Sequence, residues 1–223
     1  MAFPTTGILD NFNRADEGPP PSSSWDYPID SSVANGIQVT TNTAGRVGFS
    51  FGASYWKTSF GPDSEVYGTL TTLPGTGIDC FFNVRIASPG TGGSGGTGAD
   101  GYSCSFINQS GSDELIYWRV DNAAYTQLGS TQTPGNLSVG DKIGLEMIGS
   151  VLQAYRDTGG GWATYGTSES SGTYTAGGYI SVGFGDNTGR IDDVGGGTVV
   201  AGGGANPKGP LSNPFAGPFG GPI

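Results

Sequence analysis

Ile78-Asp79-Cys80-Phe81-Phe82-Asn83-Val84-Arg85-Ile86 and Gly101-Tyr102-Ser103-Cys104-Ser105-Phe106 carry the pattern that decides the fold. Cys80, Phe82, Val84 and Ile86 make one apolar face, with Asp79, Asn83 and Arg85 opposite, and Tyr102, Cys104 and Phe106 repeat that face on the next run. A period of two marks a strand with one side on a core, because successive side chains leave a pleated backbone in opposite directions. Working outward, alternating or β-rich runs recur at Gly36–Thr41, Arg46–Phe51, Ser64–Leu73, Glu114–Asp121 and Tyr125–Thr131. They continue through Asp141–Gly149, Val151–Asp157, Trp162–Gly166, Gly178–Gly185 and Arg190–Val194, with Gly, Pro, Asn and Asp between them. The chain shows no convincing helical period.

These runs predict an all-β fold: two antiparallel sheets about 10 Å apart, closed as a jelly-roll sandwich over residues 1–198. Gly149-Ser150 joins two runs as a tight hairpin, glycine accepting the positive φ, and Asp157-Thr158-Gly159-Gly160-Gly161 turns the chain before Trp162. The stretch Ala87–Asp100 reads as a flexible surface loop. Its Gly90-Thr91-Gly92-Gly93-Ser94-Gly95 imitates a dinucleotide-binding glycine pattern, but a strand follows it where that site needs a helix. Residues 199–223 form a Gly/Pro-rich tail, unable to build helix or sheet core, with Gly195–Gly197 and Gly202–Gly204 read as the flexible linkers that set it apart.

Composition narrows the function. Nine basic against nineteen acidic residues, net charge −10, leave no basic footprint for nucleic acid and disfavour anionic membrane surfaces. With no histidine, Ser-His-Asp and Cys-His catalysis and the usual zinc sites are excluded. The two cysteines, Cys80 and Cys104, are expected to be buried free thiols. No apolar run approaches the roughly 20 residues of a membrane span, and no signal peptide is expected from the first residues.

The opening Gly7-Ile8-Leu9-Asp10-Asn11-Phe12-Asn13-Arg14, followed by Trp25, resembles the first strand of concanavalin A-like lectin/glucanase (laminin-G-like) domains. Gly189-Arg190-Ile191-Asp192-Asp193-Val194 resembles their closing strand, which pairs with the first. Tyr55-Trp56 through Phe60-Gly61-Pro62-Asp63-Ser64-Glu65-Val66-Tyr67 is similar to versions of this domain in bacteriophage minor tail and other structural proteins. The lectin resemblance implies a sugar-stacking face, with Tyr55, Trp56, Trp118, Tyr125, Trp162 and Tyr165 as its candidates. Core packing competes for most of these rings. The glucanases of this fold carry a Glu-x-Asp-x-Glu-type cluster on one strand, which this chain lacks, so no catalytic residue is assigned and no enzyme is expected. Glu146, the one carboxylate inside an apolar run, reads as an outward-facing residue. No cofactor is expected; Ca²⁺ is the one metal considered, through Asp10, Asp186, Asn187, Asp192 and Asp193 where the terminal strands meet.

These readings predict a non-enzymatic virion structural protein, of minor tail or capsid-decoration type, made in the host cytoplasm and displaying a lectin-like sandwich. Its expected partners are other virion proteins, held through a tail anchor of Leu211, Phe215, Phe219 and Ile223, and host surface glycan, with homo-oligomerisation. A carbohydrate-binding module and a glycan depolymerase are the alternatives.

Overall fold

The period-two runs become strands with nearly the expected limits. The structure, a computed structural model, describes residues 2–26, 36–46, 48, 51–87, 100–122 and 124–200. In chain order the strands are β1 (Ile8–Asp10), β2 (Trp25–Asp26), β3 (Ile37–Thr40), β4 (Thr43–Arg46), β5 (Gly52–Trp56) and β6 (Ser64–Thr72). There follow β7 (Ile78–Ile86), β8 (Gly101–Asn108), β9 (Glu114–Asp121), β10 (Ala124–Gln132) and β11 (Lys142–Ile148). The series ends with β12 (Val151–Asp157), β13 (Ala163–Thr164), β14 (Glu169–Ser170), β15 (Tyr179–Phe184) and β16 (Arg190–Thr198). No helix occurs among the described residues.

Two antiparallel sheets result. Sheet A runs β13-β12-β11-β6-β16-β4-β3, with β1 added to β16 and β14 to β12; sheet B runs β10-β9-β8-β7-β15-β5-β2. Between them lie Cys80, Phe82, Val84, Cys104 and Phe106 from sheet B, and Val66, Leu70, Ile143, Leu145, Met147 and Leu152 from sheet A, all buried. Removing this apolar area from water is the main force holding the sheets together, at about 25 cal/mol per Å². The Gly149-Ser150 hairpin forms as read: Gly149 has φ 58° and Ile148 pairs with Val151.

The terminal resemblance has a physical basis. β1 pairs antiparallel with β16, Ile8 opposite Gly195 and Asp10 opposite Val194. Below that pairing, Asp10 Oδ2 accepts from Trp25 Nε1 at 2.8 Å, and Oδ1 accepts from Phe12 N at 2.9 Å and Arg14 NH1 at 2.6 Å. The Asp, Phe, Arg and Trp of the motif are thus one hydrogen-bonded clasp, with Phe12 and Trp25 in the core.

Two expectations are corrected. The run Arg46–Phe51 is not one strand: the strand that pairs with β3 is β4, which ends at Arg46, and the next strand starts at Gly52. Gly195–Gly197, read as a linker, are buried within β16 opposite Tyr67, Val66 and Glu65, where Gly196 and Gly197 have φ 154° and 152°. Within β7, Arg85 stands at φ 53°, a bulge that places Ser181 opposite Asn83 but Tyr179 opposite Ile86. It turns the Arg85 guanidinium into the end of the sandwich, onto the carbonyls of Pro62, Tyr174 and Gly149. The expected loop at 88–99 and the tail with Leu211, Phe215, Phe219 and Ile223 lie outside the described residues.

Candidate functional site

The face of sheet B turned away from the core carries one continuous cross-strand row. Register aligns Gln127 on β10 with Trp118 on β9, Trp118 with Ser103 on β8, and Ser103 with Asn83 on β7. Asn83 then stands opposite Ser181 on β15, and Ser181 opposite Tyr55 on β5. Strands are about 4.8 Å apart, so Trp118 and Tyr55 stand roughly 19 Å apart along this row. Ser103, Asn83 and Ser181 form a buried polar floor, 1%, 5% and 1% exposed, between two banks of rings. On one bank Trp118 meets Tyr125 edge-on at 6.1 Å, and Tyr125 reaches Phe51, the residue before β5, at 6.3 Å, so the rings bridge the face. On the other, Tyr55 meets Tyr179 at 5.3 Å. Phe51 lies flat on Phe81 at 4.4 Å, the planes 1° apart.

Hydrogen bonds fix these groups. Asn83 Nδ2 donates to Ser181 Oγ at 2.6 Å. Trp118 Nε1 donates to Ser105 Oγ at 3.2 Å, and that hydroxyl donates to Asp79 Oδ2 at 2.7 Å, which sets the tilt of the indole. Burial pushes the Asp79 carboxyl up, while the Ser105 hydroxyl works against it. Tyr125, 44% exposed, and Gln127 are the open members of the first bank. A shallow recess beside Tyr125 is lined by Asn83, Gly101 and Val120.

The outer face of sheet A is different in kind. Residues Phe3–Thr6 cross it as a strap. Glu65 and Glu146 stand opposite one another beneath it, 0% and 7% exposed. Glu65 Oε1 accepts from Thr5 N and Thr6 N at 2.7 and 2.6 Å, and Tyr155 OH donates to Glu146 Oε2 at 3.1 Å. Burial, and secondarily the Glu65 charge, push the Glu146 carboxyl up, with the Tyr155 hydroxyl opposing. Glu146 does point away from the core, as its alternation predicts, but the strap takes it out of solvent.

Of the six candidate rings, the structure brings Tyr55, Trp118 and Tyr125 to one face. Trp56 sits on the core side, edge-on to Trp25 at 5.3 Å. Tyr165 is in the core, stacked on Phe106 and donating to the Gly135 carbonyl. Trp162 belongs to sheet A, beneath Phe3. Sequence reading missed Asn83, Ser103 and Ser181. Their signal was small hydrogen-bonding residues at outward positions of central strands, beside rings that only register aligns with them. The residues considered for Ca²⁺ do not form a ligand set. Asp10 is taken up by its clasp, and Asp186 accepts from Gly75 N, Thr188 N and Gly189 N. Among the described residues no group of three acidic or thiol side chains could hold a metal ion.

No family model and no curated protein matches the chain. Solved structures do. The exoplasmic/lumenal domain of VIP36, in its Ca²⁺/Man3GlcNAc-bound form, aligns at TM-score 0.56 and 12% identity over 82% of this chain and 86% of that one. The fold is the concanavalin-like jelly roll. LamA from Z. galactanivorans, in complex with laminaritriose and laminaritetraose, aligns at TM-score 0.55 and 16% identity over 87% of this chain and 99% of that one. The carbohydrate-binding module CBM66 from Bacillus subtilis aligns at TM-score 0.53 and 12% identity over 78% of this chain and 96% of that one. This concanavalin-like sandwich therefore shares its architecture with lectins and glucanases alike, and its own side chains have to carry the functional assignment.

Proposed function

We propose that the chain is a non-enzymatic glycan-binding sandwich that takes an extended oligosaccharide along the outer face of sheet B. The observation that carries this reading is the set of rings Tyr125, Trp118 and Tyr55, exposed or half-buried on one face, with the exposed Gln127 amide beside them and the buried Ser103, Asn83 and Ser181 as the floor between. A pyranose offers apolar C–H faces and a rim of hydroxyls. Aromatic rings that present an apolar body, with a few placed polar groups, suit such a ligand. The three similar structures support the reading, since their descriptions name bound sugars or carbohydrate binding.

Geometry argues against hydrolysis at this face. Glycoside cleavage needs an acid and a second carboxylate flanking the bond, about 5–9.5 Å apart. The carboxylates that face each other across one ladder, Glu65 and Glu146, lie on the opposite sheet under the strap. A panel of polysaccharides tests both halves: specific retention on an immobilised glycan without release of reducing ends is expected. Release that disappears in Glu146→Gln would overturn the non-enzymatic half.

The virion role is proposed on the phage-like segment Tyr55–Tyr67 and on the tail, with Leu211, Phe215, Phe219 and Ile223 as its anchor to other virion proteins. Removing 206–223 should leave the sandwich folded and abolish incorporation. Truncated protein found on particles at full stoichiometry by electron microscopy with a label would sink this role.

A further inference from the structure

We infer that the groove on the outer face of sheet A is a peptide-docking site, and that copies of this chain exchange the segment Phe3–Thr6 through it. The site is built for its occupant. The Phe3 ring lies parallel to Tyr155 at 4.2 Å and meets Trp162 edge-on at 4.8 Å and Tyr67 at 6.1 Å. Two residues on, Glu65 Oε1 gathers the backbone N–H groups of Thr5 and Thr6 and the Thr6 hydroxyl at 2.7, 2.6 and 2.7 Å. Tyr67 OH donates to the Thr6 carbonyl at 2.8 Å. Glycine makes the floor: a methyl group on Gly144 would stand 2.5 Å from the Phe3 ring and 2.9 Å from Tyr67 Cβ. The other oxygen of Glu65, Oε2, is buried with no hydrogen-bond partner, so this carboxylate is committed to the strap and to nothing else.

The occupant is held by the groove more than by its own connection. At Gly7, the joint to β1, the carbonyl accepts one bond from Gly196 N at 3.3 Å, a methyl group there would meet nothing within 4 Å, and Ile8 is 56% exposed. β1 meets β16 at two register positions only. The strap therefore lifts without opening the core, and the same segment of a second copy offers the vacated groove an identical set of contacts. Only effective concentration favours the chain's own strap, and for a short connection that is of millimolar order. Reciprocal exchange closes a two-fold pair.

Two complementary variants test this. Phe3→Ala keeps the groove and loses the ring that fills it; Gly144→Ala keeps the strap and blocks its seat. Each alone should remain monomeric by light scattering at about 1 mM, whereas a 1:1 mixture should give a dimer peak absent from both. In a second arm, the wild-type chain is titrated with the peptide Ala-Phe-Pro-Thr-Thr-Gly, and saturable shifts at the Trp162 indole are expected. A mixture that stays monomeric while both variants are folded by circular dichroism overturns the proposal. Should either variant unfold, absence of any saturable shift with the wild-type chain overturns it equally.

Discussion

Asn83 donates from Nδ2 to Ser181 Oγ at 2.6 Å across the β7–β15 ladder, at the centre of the row that links Trp118 to Tyr55. The bulge at Arg85 begins two residues later, so the alignment of Asn83 with Ser181 holds where the row needs it and is released beyond. Asn83 is 5% and Ser181 1% exposed, so this bond ties the two strands together beneath the rings and fixes the floor on which they stand.

The two sheets should respond differently to loss of a ring. Trp118→Ala is expected to weaken binding to a retained oligosaccharide about tenfold or more, roughly 1.4 kcal/mol, because one of the two terminal stacking platforms of the row is lost. Trp162→Ala, on sheet A, should leave affinity within about twofold. Titration calorimetry of both variants decides it, and equal losses would remove the assignment to sheet B.

Glu146→Gln should make the protein more stable at neutral pH. The carboxyl is pushed above its ordinary value of 4.5, chiefly by burial. Between that value and the raised one, the folded state binds more protons than the unfolded state, so wild-type stability falls as pH rises through the window. Glutamine carries no charge to bury and keeps an acceptor for Tyr155. Denaturant midpoints should show an advantage at pH 7 that fades below about pH 4.5; an advantage independent of pH would refute charge burial as its cause.

Asp10→Ala should cost about 2–4 kcal/mol at pH 7, since it strands the Trp25 indole N–H and the Phe12 amide in the core. Burial works to raise the Asp10 carboxyl, yet Arg14 and the two N–H donors hold it below its ordinary 3.8. A lowered value contributes stability above the unfolded pKa that is lost as pH falls through the folded one. The gap between wild type and variant should accordingly close toward strongly acid pH in thermal melts.

Cys80 and Cys104 are free and buried, and burial pushes both thiols well up. Thiolate is the reactive form, so native labelling should be slow and reach two per chain in denaturant. Rapid labelling of the folded protein would contradict the register that turns both side chains into the core.

The sequence by itself determined the strands of the core, because alternation such as that of Cys80, Phe82, Val84 and Ile86 is a local consequence of burying one side of a pleated chain. It also determined the Gly149-Ser150 hairpin, which needs only a residue that accepts positive φ. Only the tertiary structure decided what each outward face became. Glu65 and Tyr67 lie on the side of β6 turned away from Val66 and Leu70, yet both are buried, because the strap from residues 3–6 crosses them. Gly195–Gly197 read as a linker, yet they let the Tyr67 ring and the strap approach β16. That Tyr55 and Trp118 share a face depends on strand order and register between segments over sixty residues apart, whereas Trp56, next to Tyr55 on β5, faces the core by the strand's own alternation. The period of a strand is written in its own residues; the partner that covers its second face is a long-range contact, and no local pattern encodes it.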